Sequence, residues 1–251
     1  MVTRETANFA SVGQVKELIS ALAQSVSTDL TAEQAQYWIG HKKQLGKKLK
    51  MFLKEGGLGG VVRLTGVDAL LAEWQDFWLE DFDKDLDFSK LRLPEFANQT
   101  FNRLLVMAEG MTFRCLYKAC SKLFPCGEYP ADVGAVISDR DPMKIGTYAI
   151  RIRDRAEADY ELSNFSADTL TRICGSGITL EERLLYEVVY FKETGKHLDR
   201  NTKTLCNGSR HHPSGAVPIV YWNTHFGMMQ INFCSPFEQN EFLRGRSCFA
   251  L

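Results

Sequence analysis

The first third of the chain has the residue spacing of amphipathic helices. Apolar residues recur every three or four positions from Val12 to Val26, which predicts a helix with one apolar stripe. Thr31 and Gln34 form the signature of a capping box, so a second helix is expected to begin there. Gly40 is expected to separate this helix from a third, short one.

A glycine run at 56–60 interrupts the helical pattern. No Lys-Ser or Lys-Thr pair follows it, so the sequence favours a flexible break over a phosphate-binding loop. From Val67 to Phe82 the apolar positions return to helical spacing and predict another helix. We therefore expect a helical region over residues 1–93.

The pattern changes after Pro94 to a mixture of strands and helices. Phe101–Met107 has strand character, Thr112–Phe124 predicts a helix, and Tyr148–Ile152 alternates with the period of a strand. A second capping box at Thr179–Glu182 starts another helix with an apolar stripe.

From residue 204 onward, short β-like segments alternate with turns. Val217, Ile219 and Tyr221 share one predicted strand face, and Met229, Ile231 and Phe233 share another. The sequence as a whole predicts an α+β fold. A helical region, 1–93, precedes a mixed α/β domain, 94–251, that ends in a small antiparallel β segment at about 204–251.

The last 48 residues, 204–251, differ in composition from the rest of the chain. They contain no lysine and only five charged residues, whereas charged residues make up 24% of the whole chain. Their polar side chains are mostly Asn, Ser and His, interleaved with aromatic rings. Rigid rings give contact area at low entropic cost, and Asn and Ser supply adaptable hydrogen bonds. This composition is typical of a recognition surface; a small sheet with an aromatic core and polar turns is the structural alternative.

Charge and composition argue against several classes of protein. A formal net charge of -1 gives no general argument for a nucleic acid or an anionic membrane as partner. No apolar run approaches a membrane span and no secretion signal is visible, so we expect a cytoplasmic protein. Seven cysteines, an odd number, favour buried free thiols over a disulfide framework.

Two alternatives to a recognition surface remain open. Cys206 and the neighbouring His211 and His212 have the ligand types of a zinc site or of a Cys–His enzyme, although adjacent histidines in a turn are more typical of a polar surface. The basic block Lys42–Lys54 could contact phosphates, although an acidic block at Glu73–Asp87 makes a solvated or internally balanced face the favoured interpretation. A nucleic-acid partner is therefore expected to be absent.

Several segments of the second half resemble a family of uncharacterised bacterial proteins from candidate phyla, over about residues 95–251. The matching segments are Thr179–Leu185, Tyr190-Phe191, Thr194–Asp199, Leu205–Arg210, Val217-Pro218, Tyr221-Trp222 and Leu243–Arg246. The framework LCxGSR…VPxVxW…LRxR is similar to the closing part of a C-type-lectin-like domain of the sulfatase-modifying-factor type. The variable proteins of diversity-generating retroelements use this scaffold, although their closing motif is Gly-Phe-Arg where this chain has Leu-Arg-Gly-Arg.

The resemblance implies an architecture and carries no activity with it. Together with the tail composition it leads us to expect a non-enzymatic protein that binds an unknown protein or small ligand, with no cofactor, no catalytic residue and no metal ligand. The expected ligand-binding residues are Asn223, His225, Phe226, Asn232, Ser235, Phe237, Gln239 and Asn240. Trp222, Arg244 and Arg246 are expected to be scaffold, with one of the two arginines hydrogen-bonded to buried carbonyls.

Overall fold

The computed structural model describes residues 12–25, 31–54, 66–94, 100–175 and 177–250. The chain forms two compact units, Met1–Thr65 and Gly66–Leu251. In the first unit, the described helices are α1 (Val12–Ser25), α2 (Ala32–Gly40) and α3 (Lys42–Lys54).

Local signals in the sequence account for the boundaries of these first helices. The Thr31 hydroxyl accepts a hydrogen bond from the Gln34 amide while the Gln34 side chain accepts one from the Thr31 amide, so the predicted capping box is confirmed. The helix α2 ends at Gly40, and α3 begins two residues later, as expected.

The second unit contains the remaining helices and all the strands of the described residues. Its helices are α4 (Val67–Phe82), α5 (Phe113–Leu123), α6 (Pro142–Ile145), α7 (Ala167–Cys174) and α8 (Leu180–Thr194). Its strands are β1 (Arg103–Met107), β2 (Val136–Ser138), β3 (Tyr148–Ile152), β4 (Lys203–Leu205), β5 (Ser209–His211), β6 (Val217–Asn223), β7 (Met228–Cys234), β8 (Leu243–Gly245) and β9 (Cys248–Ala250). Helices and sheets thus occur together, and the α+β class is confirmed.

Helix α4 has the predicted bounds but packs with the second unit. The Trp78 indole donates a 2.9 Å hydrogen bond to the Val106 carbonyl of β1, and its side chain is fully buried. The sequence grouped this helix with the preceding ones because local periodicity does not reveal which core a helix faces.

The strands form three sheets. The orders are β1-β3-β9, β2-β5 and β7-β6-β4-β8. In the four-stranded sheet β4 pairs with β8 in parallel, while the other two pairs are antiparallel. The tail therefore does not form one antiparallel sheet of its own. Strands β6, β7 and β8 lie in this mixed sheet, whereas β5 and β9 pair with β2 and β3 of the preceding segment.

Helix α8 runs through the main core and is buried on every side along its first ten residues, 180–189. The predicted amphipathic pattern is therefore incomplete, because Glu182, Arg183 and Glu187 are buried beside the apolar stripe. Among the described residues, no helix is long and apolar enough to cross a membrane.

A smaller core lies between α7 and the four-stranded sheet. Leu170 packs there with Val217, Ile219 and other apolar residues of the sheet. The approach is close, since a Cβ built on Gly245 would lie 2.9 Å from a methyl group of Leu170. Helix α7 therefore covers this part of the sheet.

Candidate functional site

The β6–β7 hairpin has one side in the main core and one side directed outward. Val220 pairs with Ile231 and Trp222 pairs with Met229, and these residues join the main core. The residues between them point to the other side, because successive side chains of a strand alternate. On that side α7 covers Val217, Ile219 and Cys234.

The half of the outward side that lies beyond α7 is only partly buried and carries polar side chains. We call it the polar face: Lys203, Tyr221, Asn223, Gln230 and Asn232. Strand pairing places Tyr221 opposite Gln230 and Ile219 opposite Asn232. The Lys203 ammonium lies 4.6 Å from the centre of the Tyr221 ring, a cation–π contact across β4 and β6.

Hydrogen bonds connect the side chains of the polar face. The Gln230 carbonyl oxygen accepts from the Tyr221 hydroxyl at 2.6 Å and from the Asn223 amide at 3.0 Å. The Asn232 amide donates to the Tyr221 hydroxyl oxygen at 3.4 Å. Ordered side chains lose little rotamer freedom when a ligand binds, so this arrangement is preorganised.

The hairpin turn extends the polar face with an exposed aromatic ring. The Asn223 side-chain oxygen accepts hydrogen bonds from the main-chain amides of His225 and Phe226, and Gly227 adopts a positive φ of 62°. The Phe226 side chain is 60% exposed and packs edge-on against His225. The turn is thus held in one shape by a residue of the face itself.

Four other predicted ligand-binding residues lie elsewhere, in the loop between β7 and β8. Ser235, Phe237, Gln239 and Asn240 follow the end of β7 that is opposite to the hairpin turn, about 20 Å away along a seven-residue strand. Phe237 is 73% exposed. Asn240 stabilises the loop, because its side-chain oxygen accepts a 2.8 Å hydrogen bond from the main-chain amide of Phe242. This loop is a separate surface region.

The eight predicted residues therefore fall in three places, and sequence reasoning missed part of the polar face. Asn223 and Asn232 lie on the polar face, and His225 and Phe226 lie at the turn. Tyr221 and Gln230, which connect the two asparagines, were not predicted as site residues. The period-two alternation of β6 and β7 could have indicated them, because it places both on the face that contains Asn223 and Asn232.

Trp222 supports the polar face from behind. Its ring stacks on the His197 imidazole with centroids 3.3 Å apart and an angle of 4°. Its main-chain amide donates to the Asp199 carbonyl at 3.1 Å, which fixes β6 against the segment after α8. The imidazole in turn lies 3.0 Å from a carboxylate oxygen of Glu187.

Asp199 is the centre of a buried ionic network below the sheet. One of its carboxylate oxygens accepts from Arg246 at 2.6 Å and from the Ala158 amide at 2.8 Å. The other accepts from Arg183 Nε at 3.0 Å and from the Thr204 hydroxyl. Asp199 is itself fully buried and holds a positive φ of 53°, so its backbone conformation depends on these contacts.

The two arginines of this network are held by further groups. Arg183 donates to Glu187 at 2.8 Å, and its Nη2 lies 2.9 Å from Asp199 as an ion-pair contact without hydrogen-bond geometry. Burial by itself would lower the pKa of Arg183, but the Asp199 and Glu187 carboxylates outweigh burial and raise it. The guanidinium therefore stays charged inside the core.

Of the two closing arginines, Arg246 is the one that donates to main-chain carbonyls, and these carbonyls belong to residues that are only partly buried or exposed. Its two terminal nitrogens reach the carbonyl oxygens of Arg155 and Ala156, both at 2.9 Å. Arg244 occupies an intermediate position on β8, and its Nε is buried without a hydrogen-bond partner within the described part of the chain. Arg183, Glu187 and Asp199 were not predicted. Asp199 meets Arg183 and Arg246 across sixteen and forty-seven residues, and no local pattern reveals such contacts.

The cysteine and histidine residues of the tail have different surroundings. Cys206 is fully buried, and burial raises the pKa of its thiol. His211 Nδ1 lies 2.6 Å from the Ser214 hydroxyl, while His212 is exposed. Across the ranges that the structure describes, no group of three His, Cys, Asp or Glu side chains could hold a metal ion.

The basic helix α3 is described only in part. Lys42, Lys43 and Lys48 are exposed, and the Lys48 ammonium lies 5.5 Å from the centre of the Trp38 ring. The side chains of Lys47, Lys50 and Lys54 lie outside the described residues. The alternative of a phosphate-contacting helix is therefore untested.

Comparison with known proteins assigns no family: no family model matches the chain, and neither a curated protein nor a solved structure matches it significantly.

Proposed function

We propose that this chain is a non-enzymatic binding protein whose polar face, together with the hairpin turn, contacts a protein or a small ligand. The observation that carries the proposal is the half of the four-stranded sheet that α7 does not cover, where amide side chains form a hydrogen-bonded chain with the Tyr221 hydroxyl. Helix α7 covers the apolar half of the same side, so the polar half is left for a partner.

The chemistry of the polar face sets the kind of partner. Lys203 is its one charged side chain, and the hydrogen bonds among its described residues leave the Gln230 amide N–H groups and the Asn232 carbonyl for a ligand. A ring beside adaptable amides suits a surface with mixed donors and acceptors. The partner is accordingly a neutral or weakly acidic surface rich in hydrogen-bonding groups.

The sequence resemblance supports the same proposal and refines it. If the tail belongs to a C-type-lectin-like domain of the retroelement-diversified kind, positions on the face vary while the buried network stays fixed. Asn232 and His225 are exposed, whereas Asp199 and Arg246 are buried, so such variation would spare the core. Cytoplasmic location and the absence of enzymatic activity are parts of this proposal.

A pair of charge-adding variants tests the binding role. Asn232→Arg places a guanidinium on the polar face, and Ser121→Arg places the same group on the exposed side of α5 as the control. Proteins and metabolites of a source-cell extract are passed over the immobilised wild type and both variants, and any molecule that distinguishes them is purified. We expect its dissociation constant to rise at least about tenfold for Asn232→Arg and to stay unchanged for Ser121→Arg.

The proposal is wrong if the wild type and Asn232→Arg retain the same molecules with the same affinities.

The retroelement version of the proposal has a separate test in the flanking DNA. We expect an adenine-rich near-copy of codons 207–246 beside a reverse transcriptase gene. If no such copy exists, the hypothesis of a retroelement-diversified protein is wrong. The binding role is then still decided by the comparison of the wild type with Asn232→Arg.

A further inference from the structure

A second concave site lies in the same unit, between α4, β1 and α8, away from the polar face. It is a cleft of about 250 Å³ with a floor of Trp74, Phe77 and apolar side chains of all three elements. Its rim carries Glu73, Arg103, Asp154, Lys192 and Glu193. The volume is below the roughly 300–1,000 Å³ that is usual for drug-sized ligands, so a ligand here is small.

Two aromatic rings lie against each other in the floor of the cleft. Trp74 and Phe77 lie edge to face, with centroids 5.2 Å apart and an angle of 78°. The protein already uses one of these rings in this way, since the Lys192 ammonium lies 5.7 Å from the centre of the Phe77 ring. Aromatic faces attract ammonium groups, so the lining of the cleft suits a cation.

The charges of the rim leave one carboxylate without a counter-ion among the described residues. Lys192 is paired with Asp81 at 2.5 Å, and Arg103 is paired with Glu193 at 2.6 Å and lies 4.0 Å from Asp154. Glu73 is exposed at the rim and forms no such pair within the described ranges. An incoming cation would therefore meet both an aromatic floor and an unneutralised acid.

The geometry points to a binding site for a small alkylated ammonium ion, of the trimethylammonium type, held over Trp74 and Phe77 and neutralised by Glu73. Its methyl groups bury against the apolar floor, and the aromatic faces and the Glu73 carboxylate stabilise its charge. The site is independent of the polar face, because it shares no residue with it.

Titration of the full chain with choline tests the site, with the neutral isostere 3,3-dimethylbutan-1-ol as the matched ligand. Calorimetry is expected to give choline a dissociation constant on the order of 1 mM or below, and the alcohol binding at least about fivefold weaker. A peptide with trimethyllysine forms a second arm. Tighter binding of choline identifies a free small molecule as the source, and tighter binding of the peptide identifies a methylated protein; either supports the site.

Variants identify the groups that hold the cation. Phe77→Leu should weaken choline binding by about threefold to tenfold, and Glu73→Gln by about twofold to fivefold. Lys192→Gln should strengthen it, because a competing internal cation leaves the Phe77 ring. Glu80→Gln, an exposed acid on the same helix but outside the cleft, should change nothing.

Equal affinities for choline and the alcohol would overturn the proposal, as would no detectable choline binding at about 10 mM. If Phe77→Leu does not fold, the exposed Glu73→Gln and Lys192→Gln variants decide the matter. The proposal fails if these two do not change the affinity in opposite directions.

Discussion

Removing the charge of Asp199 should destabilise the second unit severely. The substitution Asp199→Asn keeps the size of the side chain but replaces one acceptor oxygen by an N–H donor. Both original oxygens accept from at least two donors, among them Arg183 at 3.0 Å and Arg246 at 2.6 Å. In the variant, the new side-chain N–H faces groups that are themselves donors, so at least one hydrogen bond is lost. The variant also removes the negative charge between two buried guanidinium groups.

The magnitude follows from what remains of the network. Arg183 keeps Glu187 and Arg246 keeps two main-chain carbonyls, so the core holds one positive charge more than its carboxylates neutralise. Breaking a buried ion pair by removing one partner costs about 3–5 kcal/mol. With an m-value of about 2 kcal/mol/M, a loss of 4 kcal/mol lowers the urea midpoint by about 2 M.

Urea unfolding followed by tryptophan fluorescence measures this loss. The control is Glu161→Gln, which removes an exposed acid that lies 2.7 Å from Arg155, and it should cost less than about 1 kcal/mol. If Asp199→Asn shifts the midpoint no more than Glu161→Gln does, the network does not stabilise the fold through its charges, and the reasoning is refuted.

Three further predictions follow from burial and close packing. A thiol reagent should label exposed Cys115 in the native protein but reach Cys206 only on unfolding, because burial raises the pKa of the Cys206 thiol and excludes the reagent; fast native labelling of Cys206 would contradict this. Burial also raises the pKa of Glu181. The charged carboxylate therefore lowers the free energy of unfolding at a pH above this raised pKa, and the loss disappears as the pH falls through the raised pKa. Glu181→Gln should therefore raise the urea midpoint near pH 7 and lose this advantage below the unfolded-state pKa of about 4.3; a constant difference would contradict it. Gly208→Ala should lower the free energy of unfolding in urea by about 1–3 kcal/mol, because the new Cβ would lie 2.4 Å from the Gly177 carbonyl oxygen. An unchanged free energy of unfolding would show that the backbone can move to accommodate the methyl group.

The sequence predicted those elements whose signals are local. Both capping boxes form as expected, at Thr31 and at Thr179, and α4 and β3 have the predicted bounds. Each of these features depends on residues within a few positions of one another, so its physics can be read from the chain directly.

The parts that the sequence did not predict depend on distant contacts. Arg151 alternates with apolar residues along β3, yet it is buried and donates to the Pro94 carbonyl, because both sides of β3 are covered. Arg183 and Asp199 meet across sixteen residues, and Arg246 joins them from the end of the chain. The extent of the polar face likewise depends on where α7 stops covering the sheet.

The polar face and the ionic network occupy opposite sides of the same strands. On β4, Lys203 lies on the face while Thr204 bonds to Asp199; on β6, Tyr221 lies on the face while Trp222 stacks on His197. Because side chains alternate along a strand, adjacent residues belong to different systems. A substitution at an exposed position of the face thus leaves the buried charges paired, whereas a substitution at Thr204, next to Lys203, can remove a hydrogen-bond donor to Asp199. This separation would let the face change its partner without loss of the fold.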